Sequence, residues 1–170
     1  MIVRSKSGFV APALAILLLG ALTACSPSAS PSSTGSAAAA SGSSGDINVC
    51  NLVGASTASS AMGVTFTGAK SSSFAASEDA CTYAASGSPA ALIVSVYQPN
   101  SGMTWTTMEG VLKSLGPVKS VSGVGDHAAL SKQQLAVQAG SRVIAIEGNS
   151  VGANPSGAEA LAKEFVTALG

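Results

Sequence analysis

Residues 26–45 constrain the fold of this chain most, because they contain only Ser, Ala, Gly, Pro and Thr. A segment without charged or large apolar side chains cannot bury enough surface to offset the conformational entropy lost on folding. We therefore predict a disordered linker over residues 25–45. The folded part is then confined to residues 46–170, which are enough for one domain with a hydrophobic core and too few for a second.

The N-terminal segment has the organisation of a secretion signal. Arg4 and Lys6 precede an apolar run at residues 9–22 that is interrupted only by Pro12. This run is too short to span a membrane stably, and it ends next to small residues of the kind found at cleavage sites. We predict a signal peptide over residues 1–24 that is removed from the mature protein.

The tetrad Leu22-Thr23-Ala24-Cys25 closes that segment. It resembles the lipobox of bacterial lipoproteins, in which a diacylglyceryl group is attached to the cysteine sulfur and cleavage leaves that cysteine as the N-terminus. The resemblance implies lipid attachment at Cys25, including an acyl chain such as palmitate. It also implies an extracytoplasmic location on the cell membrane, or on the outer membrane if the host has one.

The mature chain carries little charge. Removing residues 1–24 takes away two of the eight basic residues and none of the eight acidic ones, which leaves a net charge of about −2. Nucleic-acid binding draws on clustered Lys and Arg side chains that neutralise phosphates. The remaining cations are scattered singly at Lys70, Lys113, Lys119, Lys132, Arg142 and Lys163. We therefore expect no nucleic-acid partner.

The chain has three cysteines, Cys25, Cys50 and Cys81. Once Cys25 is assigned to the lipid, two remain in an oxidising compartment, and a disulfide between them is the default expectation. Two buried free thiols are the alternative. A structural zinc site needs four ligands, which these thiols and one distant histidine do not supply. We expect no metal site.

The hydrophobic pattern of the folded part predicts short helices and strands. Ala55–Met62 has helical spacing and precedes Gly63, a residue type that often ends helices in the left-handed conformation. Residues 64–67 form a candidate strand, and residues 68–77 are predicted to be a polar loop. Further strands are predicted at residues 80–84 and 91–97 and around the pairs Leu135/Val137 and Ile144/Ile146.

Two longer helices are predicted in the second half of the chain. The first spans residues 102–115, with a stripe that faces the core and comprises Trp105, Met108, Val111, Leu112 and Leu115. In the second, Ser156 and Glu159 form a capping box. The apolar stripe of that helix comprises Ala158, Leu161, Ala162, Phe165, Val166 and Leu169.

The order of these elements predicts the fold class. Strands are clustered between helices, and the turns that join them are too short for parallel crossover connections. The sequence therefore predicts a single α+β domain in which helices pack on one face of an antiparallel β-sheet.

Gly123-Val124-Gly125-Asp126-His127-Ala128 formally matches a dinucleotide-binding fingerprint, with Glu147 near the distance where an acidic residue contacts a ribose. The fingerprint requires a buried strand before the glycines and a helix after them. The segment before the glycines contains polar residues and so lacks the pattern of a buried strand. Too little chain follows the glycines to complete a nucleotide-binding fold. We interpret the glycines as a tight turn entering a strand and expect no nucleotide or other cofactor. A hairpin over residues 127–139 would support this interpretation.

His127 is the only histidine in the chain. A hydroxyl nucleophile needs a base beside it, and the folded part has neither a Gly-x-Ser-x-Gly elbow nor a Ser-x-x-Lys motif. We therefore expect no catalytic residue and interpret His127 as exposed at a strand end. Asp126 is expected to accept backbone N–H groups in the turn. Glu78 and Asp79 are interpreted as a solvated charge pair rather than a calcium site, because strand neighbours point to opposite faces.

The aromatic residues Trp105, Tyr83 and Tyr97 suggest a shelf for a ligand or partner. The helical spacing of Trp105 favours core packing instead. Tyr97 lies on the strand face opposite Leu92, Val94 and Val96. We therefore predict contact with a ligand or partner at Tyr97 and at His127.

Several short motifs together resemble one family. They are the tetrad and linker, Cys50-Asn51-Leu52-Val53 before a short helix, Cys81-Thr82-Tyr83 in a strand, and the glycine turn at residues 123–128 before a second meander. This combination resembles the actinobacterial-type lipoproteins called domain of unknown function 3558, over about residues 50–169. The resemblance implies an anchored α+β domain with a helix-to-sheet disulfide and no established reaction. His127 stands where a variable polar residue is expected, so no catalytic role carries over to it.

These observations predict a membrane-anchored, non-catalytic binding or interaction module of the cell envelope. The expected partners are the membrane, through the lipid on Cys25, and an envelope protein or a small apolar ligand. The alternatives are an envelope enzyme or accessory protein acting on glycan or peptide, and a structural surface antigen. An enclosed apolar pocket without paired carboxylates or a nucleophile and base would favour binding over both alternatives.

Overall fold

A computed structural model of the protein describes residues 47–75 and 77–170. The predicted signal peptide, Cys25 and the predicted linker lie outside the described residues. Within the described residues, no helix is long and apolar enough to cross a membrane. The same part of the chain contains, in order, α1 (Val49–Leu52), α2 (Ala55–Met62), β1 (Phe66–Ala75), β2 (Glu78–Ala85), β3 (Ser88–Tyr97), α3 (Trp105–Leu115), β4 (Lys119–Val121), β5 (His127–Ser131), β6 (Gln134–Ala139), β7 (Arg142–Glu147), α4 (Asn149–Ala153) and α5 (Pro155–Leu169).

These strands form one sheet in the order β1-β2-β3-β7-β6-β5-β4. Each pair of neighbouring strands is antiparallel. Two meanders, β1-β2-β3 and β4-β5-β6-β7, meet where β3 pairs with β7. The predicted α+β domain built on an antiparallel sheet is confirmed.

The main core lies between one face of the sheet and helices α1, α2, α4 and α5. Strand alternation supplies its floor, because every second side chain of a strand points to the same face. The fully buried floor residues include Leu92, Val94, Val96, Leu135, Val137, Ile144 and Ile146. The predicted stripe of α5 covers them, with Ala158, Leu161, Ala162 and Phe165 fully buried. This confirms the strands predicted around Leu135/Val137 and Ile144/Ile146 and the predicted C-terminal helix.

Helix α3 packs on the opposite face of the sheet. Its buried residues Met108 and Leu112 contact Ala129, Ala136, Val143 and Ala145. These floor residues alternate along their strands with residues of the main core, so they point the other way. The prediction that the helices pack on one face is therefore wrong for α3. Hydrophobic periodicity identifies the buried side of a helix, but it carries no information about which sheet face receives it.

Three predicted details of the helices differ from the structure. α3 begins at Trp105 after the cap residue Thr104, three residues later than predicted. Val111 and Leu115 belong to the predicted stripe but are each 38% exposed. α5 is capped by Asn154, whose side chain accepts from the Gly157 amide at 3.0 Å, rather than by a Ser156 capping box.

The segment predicted as a polar loop, residues 68–77, is largely β1. Its pairing with β2 runs from Phe66 to Ala75, with two register shifts. β1 lies at the edge of the sheet, where few apolar side chains are needed because only one neighbouring strand and one covered face are present. The polar composition of residues 68–77 therefore led to a loop prediction, although the backbone of this segment is hydrogen-bonded to β2.

Cys50 in α1 and Cys81 in β2 form a disulfide, with their Cα atoms 5.1 Å apart. This confirms the default expectation for the two cysteines. Two hydrogen bonds assist the attachment of the α1 segment to the sheet. The Tyr83 hydroxyl donates to the Val53 carbonyl at 2.6 Å, and the Ile47 amide donates to Asp79 Oδ2 at 3.0 Å.

The structure corrects the predictions made for Asp79 and Tyr83. Asp79 is only 6% exposed and accepts a second hydrogen bond, from the Gln98 side chain at 3.2 Å, so it is not part of a solvated charge pair. Tyr83 is fully buried against Phe66, with ring centroids 5.5 Å apart, and does not form a ligand shelf. Burial raises the pKa of the Tyr83 hydroxyl.

The glycine motif at residues 123–128 is a turn that enters a strand. β5 begins at His127 and forms a hairpin with β6, where a dinucleotide-binding motif would require a helix. The Asp126 carboxylate accepts the Gly140 amide at 2.7 Å, while its own amide donates to the Gln138 carbonyl at 2.8 Å. The interpretation as a tight turn is confirmed.

Candidate ligand-binding site

A cavity of about 950 Å³ lies beside the C-terminal end of α3, and we call it the α3–α4 cavity. Sheet residues Ile93, Gln134 and Glu147 contribute to its lining, together with Leu115 of α3 and Ala153 of α4. Its volume is typical of small-molecule sites, which occupy roughly 300–1,000 Å³. The cavity arises because α3 packs mainly on β5 and β6, so the sheet near the start of α4 stays accessible.

Gly148 makes the sharp connection between β7 and α4. Its φ of +144° is rarely adopted by other residues, and a Cβ at this position would lie 2.5 Å from the Ala91 carbonyl oxygen. The glycine therefore lets the chain turn tightly beside β3, so that α4 forms one wall of the cavity.

Glu147 is the last residue of β7 and is half-buried in the cavity lining. Its Oε1 accepts a hydrogen bond from Gln134 Nε2 at 2.7 Å. Burial raises the pKa of this carboxyl, and the negative charge of Glu78 raises it further. Among the described residues, the only ion pair joins Lys113 to Glu109 at 3.3 Å, so Glu147 has no cationic partner there.

Lys132 belongs to the two-residue turn between β5 and β6. Its φ is +47°, and it is the only residue other than glycine with a positive φ in the described part of the chain. A non-glycine residue in this conformation costs about 1–2 kcal/mol. The Lys132 side chain passes over Gly116, where a Cβ would lie 2.8 Å from Cε. The turn thus holds a lysine at the edge of the cavity in a conformation that glycine or asparagine adopts more easily.

The remaining lining includes a hydroxyl group and several side-chain amides. Ser114 is the hydroxyl residue of the lining, and its Oγ donates to the Val111 carbonyl at 2.7 Å. The lining described for the cavity contains no histidine that could act as a base for Ser114 and no cysteine that could act as a nucleophile. Within the described residues, no group of three or more His, Cys, Asp or Glu side chains is placed to hold a metal ion. The lining therefore offers amides, a hydroxyl, one carboxyl, one ammonium group and apolar contact.

The predicted contact residues Tyr97 and His127 lie outside this cavity but on the same sheet face. The pairing places both in one row across the sheet, from His127 through Gln138 and Val143 to Tyr97. His127 is exposed and its ring stacks on Trp105, with centroids 5.6 Å apart and an interplanar angle of 21°. Trp105 is therefore at the edge of the smaller core beneath α3 rather than deep inside it.

Tyr97 is half-buried beside Glu78 on the neighbouring strand. Burial raises the pKa of its hydroxyl to about 12, with a further contribution from the charge of Glu78. The hydroxyl is therefore protonated at neutral pH. Contact of Tyr97 and His127 with a ligand or partner stays a prediction.

Sequence reasoning did not predict Lys132 and Glu147 as neighbours in a site. In the sequence, Glu147 stands out only as part of the glycine fingerprint, and Lys132 is only one of several scattered cations. The available signal was a lysine, rather than glycine or asparagine, in a two-residue turn between strand-like segments. That signal indicates a site only once the fold is known, because the fold places the turn beside the end of β7.

No protein-family model, curated protein or solved structure matches this chain. Membership of the lipoprotein group suggested by the motifs therefore stays a prediction.

Replacing Glu147 by glutamine is expected to stabilise the domain at neutral pH. A carboxyl whose pKa is higher in the folded than in the unfolded protein favours folding when protonated, and this contribution is lost as pH rises from about 4.5 towards the raised value. Glu147→Gln keeps the acceptor for Gln134 and removes the charge. Because solvent screens a half-buried group, we expect a gain below about 1 kcal/mol at pH 7.

The measurement is the melting temperature of wild type and Glu147→Gln between pH 4 and pH 8. The difference in melting temperature between wild type and Glu147→Gln should be largest near pH 8. It should vanish near pH 4, where the wild-type carboxyl is protonated in both the folded and the unfolded protein. Glu164→Gln, on the exposed side of α5, is the matched control and should not change with pH in this way. Parallel curves for wild type and Glu147→Gln would contradict the prediction.

Proposed function

We propose that this protein is a lipid-anchored, extracytoplasmic binding module of the cell envelope that takes a small ligand into the α3–α4 cavity. The single observation that carries the proposal is the character of that cavity. It is open to solvent rather than enclosed, has the volume of a small-molecule site and combines the apolar side chains Ile93 and Leu115 with amides and two charged groups. The Ser114 hydroxyl of its lining donates to the Val111 carbonyl rather than to a base, which favours binding over catalysis.

The proposed location rests on the N-terminal sequence and on the disulfide. The tetrad at residues 22–25 has the lipobox pattern, and the linker that follows would separate the domain from the membrane. A disulfide between Cys50 and Cys81 is typical of proteins outside the reducing cytosol. Both features support the same location independently of the cavity.

Replacing Cys25 by serine tests the anchor. Wild-type protein is expected in the membrane fraction, with residues 1–24 removed and acyl mass on Cys25. The Cys25→Ser variant is expected to lack acyl mass, because its hydroxyl is not a substrate for thioether formation. Mass spectrometry of the N-terminal peptide is the measurement. Native protein that keeps residues 1–24 and carries no acyl group would contradict the proposed location.

Replacing Ala153 by tryptophan tests the cavity. Ala153 is exposed in the cavity lining, so an indole there would occupy the space offered to a ligand. Native mass spectrometry of protein incubated with the low-molecular-weight fraction of the envelope should detect a bound compound on wild type. We expect Ala153→Trp to reduce its occupancy at least about tenfold, equivalent to about 1.4 kcal/mol.

The matched control is Ala160→Trp, which adds the same side chain at an exposed position of α5 away from the cavity. This control should retain the compound. Equal retention by both tryptophan variants would place the binding elsewhere and contradict the proposed function.

One observation favours a second candidate, an envelope enzyme acting on glycan. The raised pKa of Glu147 is a property of general acids in glycoside hydrolases, and the charge of Glu78 contributes to that shift. Release of reducing ends from purified envelope glycan by wild type, abolished by Glu147→Gln, would establish this activity in place of simple binding.

A further inference from the structure

We propose that the α3–α4 cavity binds a small zwitterion, a molecule that carries a free ammonium group, a free carboxylate and an aliphatic side chain. Aliphatic amino acids and short peptides with free termini belong to this chemical class. The inference rests on the proposed function, because it names the ligand class of the same cavity. It follows from two unpaired opposite charges in one lining.

The negative charge is supplied by Glu147. One of its carboxylate oxygens accepts the Gln134 amide at 2.7 Å, and no other hydrogen bond to Glu147 is made within the described residues. Gln134 is itself only 5% exposed and so holds the carboxylate at the cavity surface. The second oxygen is available to an ammonium group, which would also offset the repulsion between Glu147 and Glu78.

The positive charge is supplied by Lys132. This residue lines the cavity, is exposed, and makes no ion pair with any described residue. The turn holds it in the left-handed conformation, which is unfavourable for lysine and which commonly marks functional positions. A lysine at this position, in place of glycine or asparagine, is explained if its ammonium group contacts a ligand.

The two charges line the same cavity without neutralising one another, since no ion pair joins Lys132 to Glu147 among the described residues. A ligand with a single charge would satisfy one of them and be repelled by the other. A zwitterion satisfies both, with its ammonium towards Glu147 and its carboxylate towards Lys132. Opposite orientation is disfavoured at both ends, so the arrangement also fixes the direction in which the ligand lies.

The rest of the lining fits the body of such a ligand. Ile93 and Leu115 offer apolar contact, and Leu115 is 38% exposed although it lies on a helix with a buried stripe. Gln133 and Asn149 offer amides that both donate and accept, as a peptide bond requires. The volume of about 950 Å³ accommodates a residue or a few linked residues.

Titration calorimetry with a matched ligand set tests the inference. The zwitterions are L-leucine, leucylglycine and leucylglycylglycine, whose charges lie progressively further apart. The blocked counterparts of the tightest of them are its N-acetyl and C-terminal amide derivatives, each lacking one charge. We expect one zwitterion to bind wild type, and each blocked form to bind at least tenfold more weakly.

Two charge-removing variants give the sharper result. Lys132→Met keeps most of the side-chain length, and should bind the zwitterion and its amide equally. Glu147→Gln should bind the zwitterion and its N-acetyl form equally. Lys163→Met and Glu164→Gln, on the exposed side of α5, are the controls and should keep the wild-type preference for both free termini. Circular dichroism of each variant checks that it is folded.

The inference is overturned if blocked and free forms bind wild type equally, if the two variants keep the wild-type preferences, or if no zwitterion of the set binds. This outcome is distinguishable from failure of the proposed function. If no zwitterion binds while Ala153→Trp still removes the envelope compound, the cavity is a site for another ligand class. If Ala153→Trp retains that compound, the cavity is not its site and the proposed function fails.

Discussion

Replacing Cys50 and Cys81 together by alanine is expected to lower the free energy of unfolding by about 3 kcal/mol. The two cysteines are 31 residues apart in sequence, and the chain-entropy model gives an upper value of about 3.7 kcal/mol for closing such a loop. Without the disulfide, the α1 segment stays attached through apolar contacts of Val49 and Val53 and through the Tyr83 hydroxyl bond to Val53. We therefore expect a stable but weakened domain rather than an unfolded one.

Urea unfolding measures this effect on three samples: oxidised wild type, wild type with a reducing agent, and the Cys50→Ala/Cys81→Ala variant. Reduced wild type and the variant should have similar midpoints, both below that of oxidised wild type. The reducing agent should leave the variant unchanged, which is the internal control. An oxidised wild type that loses no stability on reduction would contradict the prediction.

The sequence was sufficient for the parts of the fold that depend on local pattern. Helical spacing identified α2 with its terminal Gly63, whose φ of +65° is left-handed, and it identified the stripe of α5. Strand-like apolar runs separated by turn residues identified β2 and β3, and the alternating large apolar residues Leu135/Val137 and Ile144/Ile146 identified β6 and β7. These elements build the main core, so the class of the fold followed from them.

The sequence was insufficient where the outcome depends on long-range packing. Between its two phenylalanines, Phe66 and Phe74, β1 has only small or polar residues, and its pairing with β2 makes it a strand. α3 has a clear periodicity, yet the sheet face that it covers depends on small residues in distant strands, such as Ala129, Ala136 and Ala145. Neither fact is encoded within the segment itself.

The candidate site was the least predictable feature, because its residues come from distant parts of the chain. Leu115 ends a helix, Lys132 lies in a turn and Glu147 ends a strand, so no local motif joins them. The predicted contacts at Tyr97 and His127 came from exposure on a strand face, which the structure places on the same side of the sheet as the cavity. Local patterns therefore pointed to the sheet face that carries the cavity but not to the position of the cavity on that face.

Replacing Gly125 by alanine is expected to lower the free energy of unfolding by about 2–4 kcal/mol. Its φ is +57°, and an alanine Cβ would lie 2.6 Å from Cγ1 of Val137 and within contact distance of the Gln138 carbonyl oxygen. That oxygen accepts the Asp126 amide at 2.8 Å, so the added methyl group cannot be accommodated without moving the strand or breaking this bond. The glycine is required for close approach of the turn to β6.

Gly123→Ala is the matched control, because its φ of +74° is equally left-handed but a Cβ there meets no atom within 4 Å. It should cost only about 1 kcal/mol, from backbone conformation alone. Chemical denaturation of the two variants therefore separates steric contact from conformational preference at two glycines of one motif. Similar losses for both would mean that close approach to β6 does not require Gly125. Gly125 is required for packing of the turn against β6 and not for binding a phosphate group. The motif therefore resembles a nucleotide-binding fingerprint although a hairpin follows it.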